Sequence, residues 1–154
     1  MISGFCYKTA MGDITIIENG EAIIEVDFGN NLNRETEIKE TKLIRKAKEQ
    51  LDEYFNGERK EFTLPLEPKG TDFQRKVWQT LINISYGRTK TYKEIAAEVG
   101  NEKACRAVGM ANNKNPIAII IPCHRVIGSN NKLIGYAGGL ELKERLLNLE
   151  KNNS

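Results

Sequence analysis

Cys123, His124 and Arg125 follow one another directly after Pro122, at the end of the apolar run Ile119, Ile120 and Ile121. A cysteine attacks only as its thiolate, and an unperturbed thiol titrates near about 8.5, so a reactive one needs a base or a positive environment close by. His124, the sole histidine of the chain, stands next to it. In a regular strand adjacent side chains point to opposite faces. The pair can therefore cooperate only across a turn or through a bridging water, and Pro122 favours such a break. The plain alternative is a buried core thiol, because cysteine is among the residue types most often buried. Cys6, in a β-branched run, and Cys105, in a helical pattern, fit that alternative, since neither has an evident activating base.

The elements that must hold this segment can be read from local patterns. The runs ISGFCYKT, DITIIEN and EAIIEVDF, punctuated by Met-Gly-Asp and Asn-Gly-Glu, predict a meander of antiparallel strands with a hairpin at Asn19-Gly20. Ile38, Leu43, Ile44, Ala47, Leu51, Tyr54 and Phe55 recur at three and four residues and predict a helix over about 36–55, stopped by Asn56-Gly57. The stretch 58–70 reads as a linker with one short strand at 61–64. Thr71 with Gln74 and Thr91 with Glu94 are capping-box patterns, each opening a helix. The first of these helices runs to about Tyr86-Gly87. Asn101 is placed to cap a further helix, EKACRAVGMANNK, so that two short helices flank a glycine-containing turn in the form of a helix-turn-helix. A plain helical hairpin buried in a core has the same pattern. The apolar run before Pro122 reads as a buried strand. A last helix over about 140–150 shows Leu142, Leu146 and Leu149 on one face. The fold class expected is α/β (α+β), with a small N-terminal antiparallel sheet and helix over 1–60 and a mostly helical domain over 70–154.

Composition narrows the function classes. A hydrophobic fraction of 40% with 29% charged residues describes an ordinary globular chain, and a net charge of +2 allows a nucleic-acid partner without requiring one. Three cysteines with no CxxC pair argue against a disulfide framework and suit a reducing compartment. The opening MISGFCYKTAMGD lacks the charged and apolar regions of a signal peptide, and no segment approaches membrane-span length. The expected location is the cytoplasm. One histidine and no clustered cysteines leave no zinc-ligand spacing, so no metal and no cofactor are expected.

IPCHRV, preceded by Asn115-Pro116 and the pair TYKEIAAEVG and ACRAVGMANN, and followed by GYAGGLELKERLL, resembles the O6-alkylguanine DNA alkyltransferases. The resemblance is strong over about 70–150 and extends to 1–60 in architecture only. It implies that Cys123 accepts the alkyl group from guanine O6 and keeps it as a thioether, so that each molecule acts once. It implies further that His124 is the base through a bound water, that Glu150 orients the imidazole, and that Tyr92 donates a proton to the leaving guanine. Asn115 would tie the active-site turn together.

The partner implied is double-stranded DNA carrying O6-alkylguanine, bound through its minor groove by a monomer, with the target nucleotide flipped out of the stack. Arg106 would fill the vacated stack, with Ala107 and Gly109 on the same helix allowing close approach, beside Tyr92. Val126, Tyr136, Ala137 and Gly138 would form the pocket. Ala137 stands where some members carry serine, which removes one hydroxyl contact to O6. Three other readings start from the same residues: a lesion-binding relative without transfer, a regulator using the helix pair, and a multiple-turnover cysteine hydrolase. The first of these replaces the acceptor cysteine, which Cys123 speaks against.

Overall fold

The computed structural model describes residues 2–136 and 138–154. They form a mixed α/β chain that divides into two compact units, one built from residues up to Lys69 together with Pro116–Ala118, the other from Gly70–Asn115 and Ile119–Ser154.

In the first unit β1 (Ser3–Thr9), β2 (Gly12–Glu18) and β3 (Ile23–Phe28) make the antiparallel meander, with Phe5 opposite Ile16 and Ile16 opposite Val26. Gly20 occupies the left-handed region at φ 98°, while Asn19 Oδ1 accepts from the backbone N–H groups of Glu21 and Ala22. Residues 36–41, expected to be helical, are not. β4 (Glu37–Ile38) adds to β1 in parallel, because Glu37 N–H donates to Ile2 and Lys39 N–H to Gly4 along the open edge. The sheet order is thus β3-β2-β1-β4, antiparallel except at that edge. α1 (Lys42–Phe55) begins only after Thr41, whose side chain accepts from Ile44 N–H, and buries Ile44, Ala47, Leu51 and Tyr54. The strand expected at 61–64 is also absent. Thr63 is tied instead to the side chain of Gln50, and Leu66 makes a single bridge to Ile23.

In the second unit α2 (Asp72–Ile82) and α3 (Tyr92–Glu98) each open with a complete capping box, at Thr71/Gln74 and Thr91/Glu94. Satisfying two orphan N–H donors in this way fixes where each helix begins. α2 stops at Ile82, short of Tyr86. α4 (Cys105–Asn113) starts later than expected: Asn101 caps a tight turn through Lys103 N–H, and Ala104 precedes the helix with no side-chain cap. Trp78 is buried between α2 and α4, its indole N–H donating to the Ala111 carbonyl at 2.8 Å. Two-residue strands β5 (Lys90–Thr91) and β6 (Val126–Ile127) pair in parallel, and α5 (Leu140–Asn153) closes the unit.

Candidate active site

The run before Pro122 is a buried series of turns and not a strand. Ile119 takes a left-handed φ of 71°, a conformation that a β-branched residue adopts only when its surroundings impose it. Cys123–Arg125 then form one turn of 3-10 helix, with Arg125 N–H donating to the Pro122 carbonyl. Two asparagines pin this path. Asn115 Nδ2 donates to the Ile121 carbonyl at 2.8 Å and Asn112 Nδ2 to the Cys123 carbonyl at 3.3 Å. The strand geometry that would have set Cys123 and His124 on opposite faces is therefore absent.

His124 is fully buried, and its Nε2 lies 2.6 Å from Glu150 Oε2. Glu150, near the end of α5, is also buried and collects further donors: Arg125 Nε at 2.8 Å, Arg125 Nη2 at 3.1 Å and Gly87 N–H at 3.1 Å. Arg125 Nη1 donates to the Ile84 carbonyl at 2.6 Å. Burial alone would push the Glu150 carboxyl up, but the hydrogen bond and charge of His124 and those of Arg125 outweigh it and hold it at about 2. Burial lowers His124 below its ordinary value against the pull of Glu150, and the Arg125 and Lys143 charges lower it further. Glu150 is thus the anion and His124 the neutral partner at pH 7. An ionised carboxylate fixes the Nε2–H tautomer, which makes Nδ1 the basic nitrogen.

Cys123 is 5% exposed, and burial pushes its thiol up to about 11, against the Asn115 hydrogen bond and the Lys143 charge, which lower it. The resting group is a thiol and needs its proton removed. Facing it is a residue that the sequence reading missed. Lys143 is fully buried on α5, its Nζ donating to the Ile134 carbonyl at 2.9 Å and the Gly135 carbonyl at 3.4 Å. Burial brings its ammonium down to about 8, opposed by the Cys123 charge. The Tyr92 hydroxyl donates to the same Ile134 carbonyl at 3.0 Å, and Lys143 Nζ lies 6.0 Å from the Tyr92 ring centre. Burial and the Cys123 charge raise the Tyr92 hydroxyl, with an Asn112 hydrogen bond opposing. The buried face of α5 had a signal: Lys143, Leu146 and Glu150 recur at three and four residues. They are the buried face; of the expected Leu142, Leu146 and Leu149, only Leu146 is fully buried.

The remaining expected residues fall in three places. Arg106 and Ala107 are exposed on α4, while Gly109 packs beside the Tyr92 ring, which would lie 3.9 Å from an added Cβ. Ala111, on the inner side of the same helix, is buried. Val126 is fully buried in β6, and Tyr136 and Gly138 are half-buried in the loop before α5, where the Tyr136 carbonyl accepts from Gly139 N–H. Ala137 lies outside the described residues. Among the described residues no three His, Cys, Asp or Glu side chains gather closely enough to hold a metal ion.

Comparison with known proteins agrees along the whole chain. The family profile described as 6-O-methylguanine DNA methyltransferase, DNA binding domain, matches residues 72–152, and that of the family's ribonuclease-like domain matches residues 5–68. A Methanosarcina barkeri protein named methylated-DNA--protein-cysteine methyltransferase is 51% identical over 150 residues, covering 95% of both chains. The constitutive protein of that name from Bacillus subtilis is 49% identical over 153 residues, covering 94% of this chain and 92% of its own. Among solved structures, Mycobacterium tuberculosis OGT in complex with DNA superposes with a TM-score of 0.92 at 41% identity, covering 99% of this chain and 94% of that one. With the PCHR turn, the buried histidine and carboxylate, and both units matched, the chain belongs to the 6-O-methylguanine DNA methyltransferase family.

Proposed function

We propose that this protein repairs DNA by direct reversal, moving the alkyl group of O6-alkylguanine onto Cys123 and retaining it. The domains doing so are 1–60 and 70–154, the second holding both the thiol and the DNA-reading helices. Neutral His124 removes the thiol proton through a water molecule, with Glu150 balancing the imidazolium. The Cys123 thiolate attacks the alkyl carbon; the carbon–sulfur bond forms as the carbon–O6 bond breaks, and the electron pair returns to guanine. Tyr92 supplies a proton to the leaving base and recovers one from solvent, to which the His124 imidazolium gives up the thiol proton, so the net change is thiol plus O6-alkylguanine to thioether plus guanine. Lys143, beside the thiol, favours its anionic form, and Asn115 holds the turn. A thioether offers water no acyl carbon to attack, so the molecule acts once.

A base within a duplex cannot present O6 to a protein thiol, so the nucleotide is flipped out through the minor groove, with Arg106 in its place and Ala107 and Gly109 against the backbone. Val126, Tyr136, Ala137 and Gly138 receive the base. The protein works as a monomer in the cytoplasm; none of its described helices is long and apolar enough to cross a membrane. The observation that carries this reading is a nearly enclosed thiol on a turn whose next two residues share one buried carboxylate. Intact-protein and peptide mass measurement after mixing with a duplex containing one O6-methylguanine tests it. One added methyl on the Cys123 peptide, absent in Cys123→Ala and without further turnover, is expected. Lesion binding with no gain in mass would leave a damage-recognition protein instead.

A further inference from the structure

The outer face of α4 carries one large apolar side chain left uncovered by the described residues. Met110 is 64% exposed, whereas Val108, Ala111 and Asn112 turn inward. Residues three and four apart share a helix face. Met110 therefore stands one turn beyond Arg106 and Ala107 and one turn before Asn113, while Lys103, in the turn before the helix, and Lys114, its C-cap, lie beyond the two ends, all exposed. The stripe is cationic towards both ends and apolar in the middle.

An isolated exposed apolar residue is ordinary on any surface. Here its company matters. A DNA groove has phosphates along its rims and apolar sugar and base surfaces within, so a stripe with cations outside and one apolar side chain between them is complementary in charge and polarity. Ala107, adjacent on the same face, lets the helix backbone approach closely. Minor-groove proteins insert Phe, Leu, Ile, Met or Pro between base steps, and the unbranched thioether of methionine adapts to irregular surfaces.

We propose that Met110 is an apolar wedge that enters the groove of duplex DNA one helical turn from Arg106. It adds a contact independent of phosphate attraction and of the thiol pocket, and tolerant of sequence because it reads no base edge. The proposal rests on the DNA-repair reading above.

Fluorescence anisotropy with a duplex containing O6-methylguanine, across a range of salt concentrations, tests it. All proteins carry Cys123→Ala, so that binding reaches equilibrium without reaction. Met110→Ala should weaken binding about tenfold, the scale of losing most of one buried apolar side chain. The salt slope should not change, because no phosphate contact is removed. The unfolding temperature should also stay where it was, because the side chain is exposed. Met110→Lys should bind more weakly than the parent at high salt, with a steeper salt slope. The proposal is overturned if Met110→Ala binds as tightly as the parent, if its loss comes with a shallower slope, or if Met110→Lys binds more tightly throughout. Failure of the parent itself to bind the duplex would overturn the DNA-repair reading as well.

Discussion

Replacing Glu150 with glutamine keeps the volume of the side chain and removes one negative charge from a fully enclosed site. Glutamine can still accept from Gly87 N–H, but the Arg125 guanidinium loses the carboxylate that takes its Nε and Nη2. The carboxyl is held at about 2 against an ordinary 4.5. At about 1.4 kcal/mol per unit this is roughly 3 kcal/mol of stability at neutral pH. Removing one partner of a buried pair costs about 3–5 kcal/mol, the same scale. The sign follows from the lowered value: the contribution is complete above pH 4.5 and is lost as pH falls from 4.5 towards 2. Urea unfolding at pH 7 should therefore place Glu150→Gln about 3 kcal/mol below the native protein. The gap should close as acid protonates Glu150 in the native protein alone. Equal midpoints at pH 7, or a gap still open at pH 2, would refute the assignment of Glu150 as the buried anion.

Lys143→Met should fold with little loss, since exchanging a buried charge for an apolar chain of similar volume is often neutral. Its single-turnover transfer should slow and its rate profile move to higher pH, because Cys123 loses its cation; an unchanged profile would remove Lys143 from the chemistry. In the native protein the transfer rate should hold level through neutral pH and fall below pH 6.5, the ordinary value that His124 does not reach. A decline that already begins near pH 7.5 would mean that His124 is not the neutral base. Gly87→Ala should cost about 1–2 kcal/mol in thermal unfolding, because φ is 78° there and a Cβ would stand 2.7 Å from that of Ser154. Deleting Ser154 should recover only part of that loss, and full recovery would assign the cost to crowding alone.

Features set by neighbouring residues were legible in the sequence, and those set by distant partners were not. Thr71/Gln74 and Thr91/Glu94 announce their helices because a capping box is a local device. The start of α1 was misplaced because Glu37 and Lys39 find ladder partners at Ile2 and Gly4, more than thirty residues away. The isoleucines before Pro122 look like a strand by composition, yet Ile119 is bent into a left-handed turn stabilised by Asn115 and its neighbours, which no alternation pattern encodes. The thiol and histidine stood out by type and adjacency. Lys143 did not, because a lysine in a helical pattern reads as a solvated face until its partners, Ile134 and Gly135, fold over it.

Glu150 closes a circuit between the last helix, the 84–87 turn and the two residues after the thiol. The order of synthesis gives this a meaning of its own. Cys123, α3 and α4 leave the ribosome before Glu150 does, and until it arrives His124 has no counter-charge and Arg125 no carboxylate to bind. A chain released before residue 150 would lack the anion that ties these segments together, so the site could not assemble around the thiol. The charge balance around His124 and Arg125 is thus completed only when the last helix is in place.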